Sequence, residues 1–157
     1  MKNTLRIGAL AAAAALALAA CSSAPEDEPT TSQSAAETTT PADTVDYKAC
    51  MVSDAGGFDD KSFNQTSFEG LQQAEADLGI DTASAESADG NAYGPNLEAL
   101  VSSDCDLIIT VGFLLSQATV DSAKANADVN YAIIDDLADT DLDGTTDAPN
   151  IKPITFA

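Results

Sequence analysis

The residues from Asp54 to Asn64 constrain the fold of this chain more than any other stretch. They read Asp-Ala-Gly-Gly-Phe-Asp-Asp-Lys-Ser-Phe-Asn, and the segment before them, residues 47–53, is mostly apolar. Such a segment predicts a buried strand. Apolar residues follow the stretch at helical spacing, namely Phe68, Leu71, Ala74 and Leu78. The stretch is therefore predicted to lead from a strand into a helix over residues 63–78.

The loop between them has the composition of a ligand-binding turn. Gly56 and Gly57 are expected to take positive φ angles and to let a ligand approach the backbone. Ser62 and Gln65 fit a capping box that would start the helix at Phe63. Because ligands of open α/β sheets bind beyond the carboxyl ends of the strands, this turn would lie at the binding edge.

Three side chains of the loop are candidates for ligand contact: Asp54, Phe63 and Asn64. The carboxylate and the amide can accept and donate directed hydrogen bonds, and the ring can stack on a flat ligand. The alternative is that Asp54 and Asn64 only cap turns, while Phe63 belongs to the core. Spacing alone leaves both interpretations open.

After the loop, strands and helices alternate. Further strands are predicted at residues 82–87, 106–111, 131–134 and 151–156, and further helices at residues 96–102 and 115–127. This alternation predicts an α/β fold, a doubly wound parallel sheet with helices on both faces. Residues 45–157 would form that domain.

The charge of the chain excludes several kinds of partner. Its 157 residues include 26 Asp and Glu, 6 Lys and Arg, and no His. So acidic a surface repels nucleic acid, and the lack of a basic cluster argues against a strongly anionic ligand. Without His, neither Ser-His nor Cys-His catalysis is available. No nucleophile–base pair is evident, so we predict that the chain is not an enzyme.

Two cysteines inside the predicted domain could form a disulfide. Cys50 lies in the first strand and Cys105 just before a later one. These strands can be neighbours in a doubly wound sheet, and a disulfide is stable in an oxidising compartment. The alternative is a pair of buried thiols that act as small apolar residues.

A second acidic segment has the spacing of a calcium loop. Its candidate ligands occupy EF-hand positions one, three, five, seven and nine, with glycine at position six, and are Asp139, Asp141, Asp143, Thr145 and Asp147. The twelfth position holds Asn150 instead of Glu, and no flanking helices are predicted. The alternative is a solvated acidic turn. No other cofactor is expected.

The N-terminus has the pattern of an export signal. Residues 1–20 combine Lys2 and Arg6 with an apolar run that ends Leu-Ala-Ala-Cys at Cys21. This ending resembles the bacterial lipobox, which implies cleavage before Cys21 and attachment of acyl chains, such as palmitate, to that residue. The acyl chains would hold the protein on the extracytoplasmic face of the cell membrane. An ordinary signal peptide with a chance cysteine is the alternative. Residues 21–44, rich in Ser, Thr, Pro and acid, are predicted to form a flexible tether.

The motif of residues 54–64 resembles the signature of the basic membrane protein (BMP) family. These are lipid-anchored substrate-binding proteins of ABC importers and include purine nucleoside receptors. The similarity extends through Ile133-Ile134-Asp135 and Lys152-Pro153-Ile154. It implies the first lobe of a type I periplasmic-binding-protein-like fold. Members of the family have two such lobes, so we expect this chain to be an N-terminal fragment that binds ligand weakly or not at all by itself. A protein with a single lobe is the alternative.

The resemblance also implies a set of ligand-binding residues. Phe63 would stack on a purine base, while Asn64 and Asp54 would hydrogen-bond to base or ribose. Gly112 and Phe113 form a turn that lines the cleft in the family, and Asp135 ends a strand at the same edge. Gln117 lies where many relatives have Asp; it is either a ligand contact with an altered base preference or an ordinary polar residue of a helix start.

The expected function is that of a solute-binding component that delivers a small neutral ligand, such as a purine nucleoside, to an ABC permease. Two alternatives remain open at this stage. One is a receptor of the same fold for a sugar or a signalling molecule. The other is a calcium-dependent acidic surface lipoprotein.

Overall fold

The computed structural model describes residues 45–156. The predicted signal peptide, the predicted lipidation site Cys21 and the predicted tether lie outside the described residues. Within these residues, eight helices and strands and two short 3₁₀ turns (Gly90–Ala92 and Phe113–Leu115) follow one another. The elements are β1 Lys48–Val52, α1 Phe63–Leu78, β2 Asp81–Ala85, α2 Tyr93–Val101, β3 Leu107–Val111, α3 Ser116–Ala125, β4 Asn130–Ile134 and β5 Ile151–Ile154.

The five strands form one parallel sheet in the order β2-β1-β3-β4-β5. The position of β1 between β2 and β3 agrees with its apolar sequence, since helices cover both faces of an interior strand in a parallel sheet. The predicted α/β fold with a parallel sheet is confirmed. Among residues 45–156, no helix combines the length and the apolar character that crossing a bilayer requires.

Alternate residues of β1 face the two sides of the sheet and so define two apolar clusters. Cys50 and Val52 pack with residues of α2 and α3, in the larger cluster. Ala49 and Met51 pack with Leu71 of α1 in the smaller one. The helices therefore cover both faces, which leaves the carboxyl ends of the strands and the loops after them at one edge.

The disulfide partners meet next to β1. Cys50, in β1, is bonded to Cys105, which precedes β3, and their Cα atoms lie 6.0 Å apart. β1 and β3 are neighbours with Cys50 opposite Ile108, so the parallel register brings the two cysteines within bonding distance. Both are buried in the larger cluster.

Two predicted helix starts and several strand ends differ from the structure. α2 begins at Tyr93 and not at Asn96, because the side chain of Asp89 accepts a hydrogen bond from the Asn91 N–H and starts a 3₁₀ turn that runs into the helix. Pro95 is compatible with this earlier start because the first turn of a helix needs no intrahelical N–H donor. β5 ends at Ile154, and α3 begins at Ser116 after its own 3₁₀ turn.

Candidate functional site

The first loop, defined here as residues 54–64, holds Asp54 and Asn64 against each other. The Asn64 side-chain amide donates to Oδ1 of Asp54 over 2.7 Å, and the Asp54 backbone N–H donates to Oδ1 of Asn64 over 3.3 Å. The Gly56 N–H also donates to Oδ1 of Asp54, over 2.8 Å. Asn64 is only 2% exposed. The predicted pair is therefore together at the end of β1, with the carboxylate held by two donors.

Asp60 organises the start of α1. Its Oδ1 accepts from the backbone N–H groups of Ser62 (2.8 Å) and Gln65 (3.0 Å). Its Oδ2 accepts from the backbone N–H (3.2 Å) and the side-chain amide (3.0 Å) of Asn64. Partial desolvation raises the pKa of Asp60, but the hydrogen bonds from Gln65, Ser62 and Asn64 outweigh it and lower the pKa below the ordinary value.

The predicted capping box is wrong. Ser62 does occupy the N-cap position, but its side chain makes no capping hydrogen bond. Asp60 supplies the acceptors instead, from two residues further back. The positive φ of 55° at Lys61 turns the chain so that the Asp60 carboxylate reaches over the first turn. Asp60 was not predicted as the capping residue because the sequence does not indicate that Lys61 adopts a left-handed backbone conformation.

The glycines of the site serve different purposes. Gly57 has the expected positive φ, 66°, but Gly56 does not. Gly56 is needed for space: a Cβ there would lie 3.1 Å from Oδ1 of Asp54 and 3.2 Å from the Asn64 amide nitrogen. Gly112, after β3, needs glycine for its backbone conformation and for space: its φ is 95°, and a Cβ there would lie 3.0 Å from Oδ2 of Asp54. The ends of β1 and β3 thus meet at Asp54.

One oxygen of Asp54 is left for a ligand. Oδ1 is taken by Gly56 and Asn64, whereas none of residues 45–156 donates a hydrogen bond to Oδ2. Both N–H groups of the Asn64 side chain are used by Asp54 and Asp60. In this structure Asn64 therefore holds Asp54 in place, and Asp54 is the group of the pair with free hydrogen-bonding capacity.

Phe63 and Phe113, the two phenylalanines predicted to contact the ligand, are both exposed at this edge. Phe63 is 45% exposed, so the alternative that it belongs to the core is wrong. Its ring centroid lies 5.5 Å from that of Phe156, and the two rings line a groove of about 340 Å³ together with Ile134 and Ile154. Phe113, in the turn after β3, is 63% exposed. Both rings offer apolar surface to a flat ligand.

The remaining predicted residues lie at the ends of β3 and β4. Gln117 is exposed in the first turn of α3, and its side chain donates to Asp121 over 3.0 Å. Asp135 is exposed directly after β4, with a φ of 64°. The neighbouring Asp136, which sequence analysis missed, ties the two segments together because its carboxylate accepts from the Ser116 hydroxyl over 2.6 Å.

A second missed residue joins the first loop to β2. Glu86, just after β2, accepts from the Phe58 N–H over 2.8 Å, and the backbone carbonyl of Glu86 accepts from Asn96 of α2. Phe58 stacks on Phe68 of α1 at a centroid distance of 4.4 Å. The first loop is thus fixed by β2 and α2 as well as by its own carboxylates.

The second loop, defined here as residues 139–147, gathers three of the five predicted calcium ligands. Asp139, Asp141 and Asp147 each place an oxygen within 4.8 Å of the others. Asp143 instead accepts from the N–H (2.8 Å) and the hydroxyl (2.6 Å) of Thr145. The hydroxyl and N–H of Thr140 donate to Asp147 and lower its pKa below the ordinary value.

Asn150, at the twelfth position, has a structural role. Its side-chain amide donates to the carbonyls of Ala123, Asn126 and Val129 over 3.1, 3.2 and 2.9 Å. These contacts fix the end of α3 against the loop that precedes β5. Calcium binding stays a prediction for the three clustered carboxylates.

The sequence matches a known family and several known proteins. A profile of the family described as ABC transporter substrate-binding protein PnrA-like matches residues 47–157. The chain is 36% identical over 116 residues to the CD4+ T-cell-stimulating antigen of Listeria monocytogenes, covering 71% of this chain and 30% of that protein. It is 31% identical over 117 residues to the ABC transporter nucleoside-binding protein BmpA of Lactococcus lactis, covering 72% and 31%. The chain thus spans less than a third of the length of these curated relatives.

Solved structures are similar in fold. A solute-binding protein of an ABC transporter system from Aeropyrum pernix superposes with a TM-score of 0.60 at 27% identity, over 70% of this chain and 28% of that chain. A fragment of a lipoprotein from Peptoclostridium difficile superposes with a TM-score of 0.58 at 28% identity, over 69% and 84%. The second of these chains is comparable in extent to the domain described above.

Proposed function

This chain belongs to the family of PnrA-like ABC transporter substrate-binding proteins, and from this premise we propose that it forms one wall of a nucleoside-binding cleft. The family consists of substrate-binding components, so the prediction of a binding protein and not an enzyme is confirmed by the family match. A relative from Lactococcus lactis carries the name nucleoside-binding protein, which supports the choice of ligand.

The proposal rests on a fixed carboxylate and exposed aromatic rings that lie at the same edge of the sheet. Oδ2 of Asp54 has no donor among residues 45–156 and lies beside Gly112. Phe63 and Phe113 are exposed. A nucleoside supplies matching chemistry, since its base has two flat faces and its ribose hydroxyls and base N–H groups are donors. We assign stacking to Phe63 and hydrogen bonding to Asp54, with Asn64 as its support.

The other predicted residues complete the wall. Gly112 leaves room for the Asp54 carboxylate, and Phe113 adds apolar surface. Gln117 and Asp135, both exposed, would contribute polar contacts at the ends of β3 and β4. The absence of a basic cluster from the sequence fits a neutral ligand better than a nucleotide.

We propose the surroundings of the domain from the N-terminal sequence pattern and from the resemblance to the family. Residues 1–20 would be the signal peptide, Cys21 the lipidated residue and residues 21–44 the tether to the extracytoplasmic face of the membrane. Residues 45–157 would form one lobe and deliver the ligand to an ABC permease. Because the matched segment covers less than a third of these curated relatives, a second lobe would supply the opposite wall of the cleft.

Ligand-detected NMR with inosine tests this function, because it detects the weak binding expected of a single wall. The full chain should transfer saturation to the inosine base, and Phe63→Ala should reduce that signal strongly, since loss of base stacking is worth about 1–3 kcal/mol. Leu78→Ala is the matched control: Leu78 is also an exposed apolar residue of α1, but it lies at the opposite end of that helix.

Ribose and calcium distinguish the alternatives. Equal transfer to ribose and to inosine, unaffected by Phe63→Ala, would favour a sugar receptor. No transfer to either ligand, in this chain and in a full-length relative tested alongside it, would refute the proposal. The calcium-dependent alternative rests on the clustered carboxylates of the second loop and is tested separately below.

A further inference from the structure

We propose that Asp60 is a positioning residue of the binding edge, which acts on the ligand through Asn64 and Asp54 without contacting the ligand itself. This proposal rests on the proposed function for the identity of the ligand. It assigns to Asp60 a role beyond capping α1.

The two oxygens of Asp60 have separate partners. Oδ1 accepts from the backbone N–H groups of Ser62 and Gln65, which is an ordinary capping arrangement. Oδ2 accepts from the backbone N–H and the side-chain amide of Asn64. Helix capping accounts for only one of the two bonds to Oδ2, the one from the Asn64 backbone N–H. The bond from the Asn64 side-chain amide does not cap the helix.

Asn64 passes this constraint to Asp54. Its side-chain nitrogen has two hydrogens, and Asp60 and Asp54 each accept one of them, over 3.0 and 2.7 Å. Its oxygen accepts from the Asp54 backbone N–H. All three contacts fix the plane of the amide, so it cannot rotate without breaking at least two hydrogen bonds.

Packing makes this chain of contacts tight. Asn64 is 2% exposed, so water cannot replace a lost partner easily. Gly56 lies over all three residues: a Cβ there would be 3.1 Å from Oδ1 of Asp54, 3.2 Å from the Asn64 nitrogen and 3.3 Å from Cβ of Asp60. Loss of the Asp60 carboxylate would leave one N–H of the buried Asn64 amide without an acceptor, and an amide that turns to satisfy it would change the orientation of the Asp54 carboxylate towards Gly112.

The test compares Asp60→Ala with Asp59→Ala in the full chain. Both variants remove one carboxylate from the same loop, but Asp59 is exposed and accepts no hydrogen bond from residues 45–156. In ¹H–¹⁵N spectra, Asp60→Ala should displace the Asn64 side-chain signals and the Gly56 amide signal, which report the two bonds to Asp54. Asp59→Ala should leave both in place.

Inosine affinity measures the consequence. Asp60→Ala should weaken binding on the order of tenfold, the size of a typical coupling between residues in one hydrogen-bond network. A capping role alone would lower the melting temperature by roughly 5 °C but leave the affinity unchanged well below that temperature. If Asp60 acts through Asn64, Asp60→Ala should have no further effect on affinity in an Asn64→Ala background.

Three results would overturn the proposal. The first is an Asn64 side-chain signal that does not move in Asp60→Ala. The second is a displaced signal with unchanged inosine affinity, and the third is full additivity of the two substitutions. If the unsubstituted chain does not bind inosine, the proposed ligand fails, and the displacement of the Asn64 and Gly56 signals by itself decides whether Asp60 positions Asp54.

Discussion

Two loops at strand ends concentrate acidic residues in this molecule. The first loop, residues 54–64, holds three carboxylates, and the second loop, residues 139–147, holds four. In the first loop, N–H donors separate the carboxylates: Asn64 stands between Asp54 and Asp60 and bonds to both. In the second loop, backbone donors reach Asp139 and Asp147, yet three carboxylates still lie within 4.8 Å of one another.

The difference shows why the number of acidic residues does not identify a site. Carboxylates that accept hydrogen bonds from a group between them are held apart, and those bonds already stabilise their charge. Carboxylates that face each other repel, and a cation relieves the repulsion. The first loop is therefore suited to a ligand with hydrogen-bond donors, and the second loop is the one where calcium remains a prediction.

The largest expected effect comes from breaking the scaffold below the first loop. Cys50 lies in β1, which leads into that loop, and the disulfide to Cys105 closes a segment of 55 residues. Replacing both cysteines by alanine should lower the free energy of unfolding by about 4 kcal/mol, because the unfolded chain regains the entropy of the open loop. Urea unfolding measures this value.

A reducing agent provides the control for the disulfide. It should destabilise the unsubstituted chain and have no effect on the double variant. If the unsubstituted chain unfolds identically with and without reductant, and labels with two further thiol equivalents when unfolded, then Cys50 and Cys105 are buried thiols and the disulfide prediction is wrong.

Substitutions at two glycines, Gly112 and Gly144, test directly whether only the first loop belongs to the ligand site. Gly112 and Gly144 have similar positive φ angles, 95° and 91°. A Cβ at Gly112 would meet Oδ2 of Asp54 at 3.0 Å, whereas a Cβ at Gly144 would meet no atom within 4 Å. Both alanine variants should lose about 1–3 kcal/mol of stability from backbone strain, and only Gly112→Ala should also abolish inosine binding.

The comparison of these two variants isolates the contact with Asp54. Strain is common to both, so any difference in inosine affinity reports the displaced carboxylate. Equal loss of affinity in Gly112→Ala and Gly144→Ala would mean that the second loop belongs to the ligand site, and the division between the loops would fail.

Calcium should act on the second loop alone. At about 2 mM calcium, a site of the affinity found in extracellular modules would stabilise the domain by about 1 kcal/mol. Asp141→Asn should remove this effect, while Asp59→Asn, an equal change of charge in the first loop, should preserve it. Thermal unfolding with and without calcium measures both. An unchanged melting temperature at millimolar calcium would eliminate the calcium-dependent alternative.

The predictable part of the fold follows from local patterns. The bounds of α1 agree with the prediction because its apolar spacing and the Gly79 C-cap are both written in the sequence. Strand order follows less directly: the sequence allowed β1 and β3 to be neighbours joined by a Cys50–Cys105 disulfide, but it left two buried thiols as the alternative. The start of α2 was predicted three residues too late because the 3₁₀ turn capped by Asp89 carries the chain directly into the helix.

The sequence predicted which residues form the site but not the hydrogen bonds between them. Asp54 and Asn64 were found from their positions at a strand end and a helix start. Their mutual bonds and the role of Asp60 depend on the left-handed backbone at Lys61, which no residue pattern indicates. The exposed position of Phe63 depends on which face of α1 meets the sheet, and a single ring at a helix start leaves that undetermined.

Acid should weaken the first loop through Asp60. Its pKa is lowered in the folded state, so its contribution to stability is present above the unfolded value of 3.8 and is lost as the pH falls through the folded value. The stability difference between the unsubstituted chain and Asp60→Ala should therefore be constant near pH 6 and shrink below about pH 4. Urea unfolding across this range measures it. A difference that grows as the pH falls would contradict the hydrogen bonds assigned to the Asp60 carboxylate.

The smallest expected effect belongs to Ser62, and it decides between two caps for α1. If Asp60 is the cap, Ser62→Ala should change the free energy of unfolding by less than about 0.5 kcal/mol, because the Ser62 hydroxyl makes no capping bond. Asp60→Ala should then cost about 1 kcal/mol, the usual value of a lost N-cap. The reverse order would mean that Ser62 caps the helix in solution. Asp60 would then lack its hydrogen bonds to the backbone N–H groups of α1. Its carboxylate would no longer be held in place to position Asn64 and, through Asn64, Asp54.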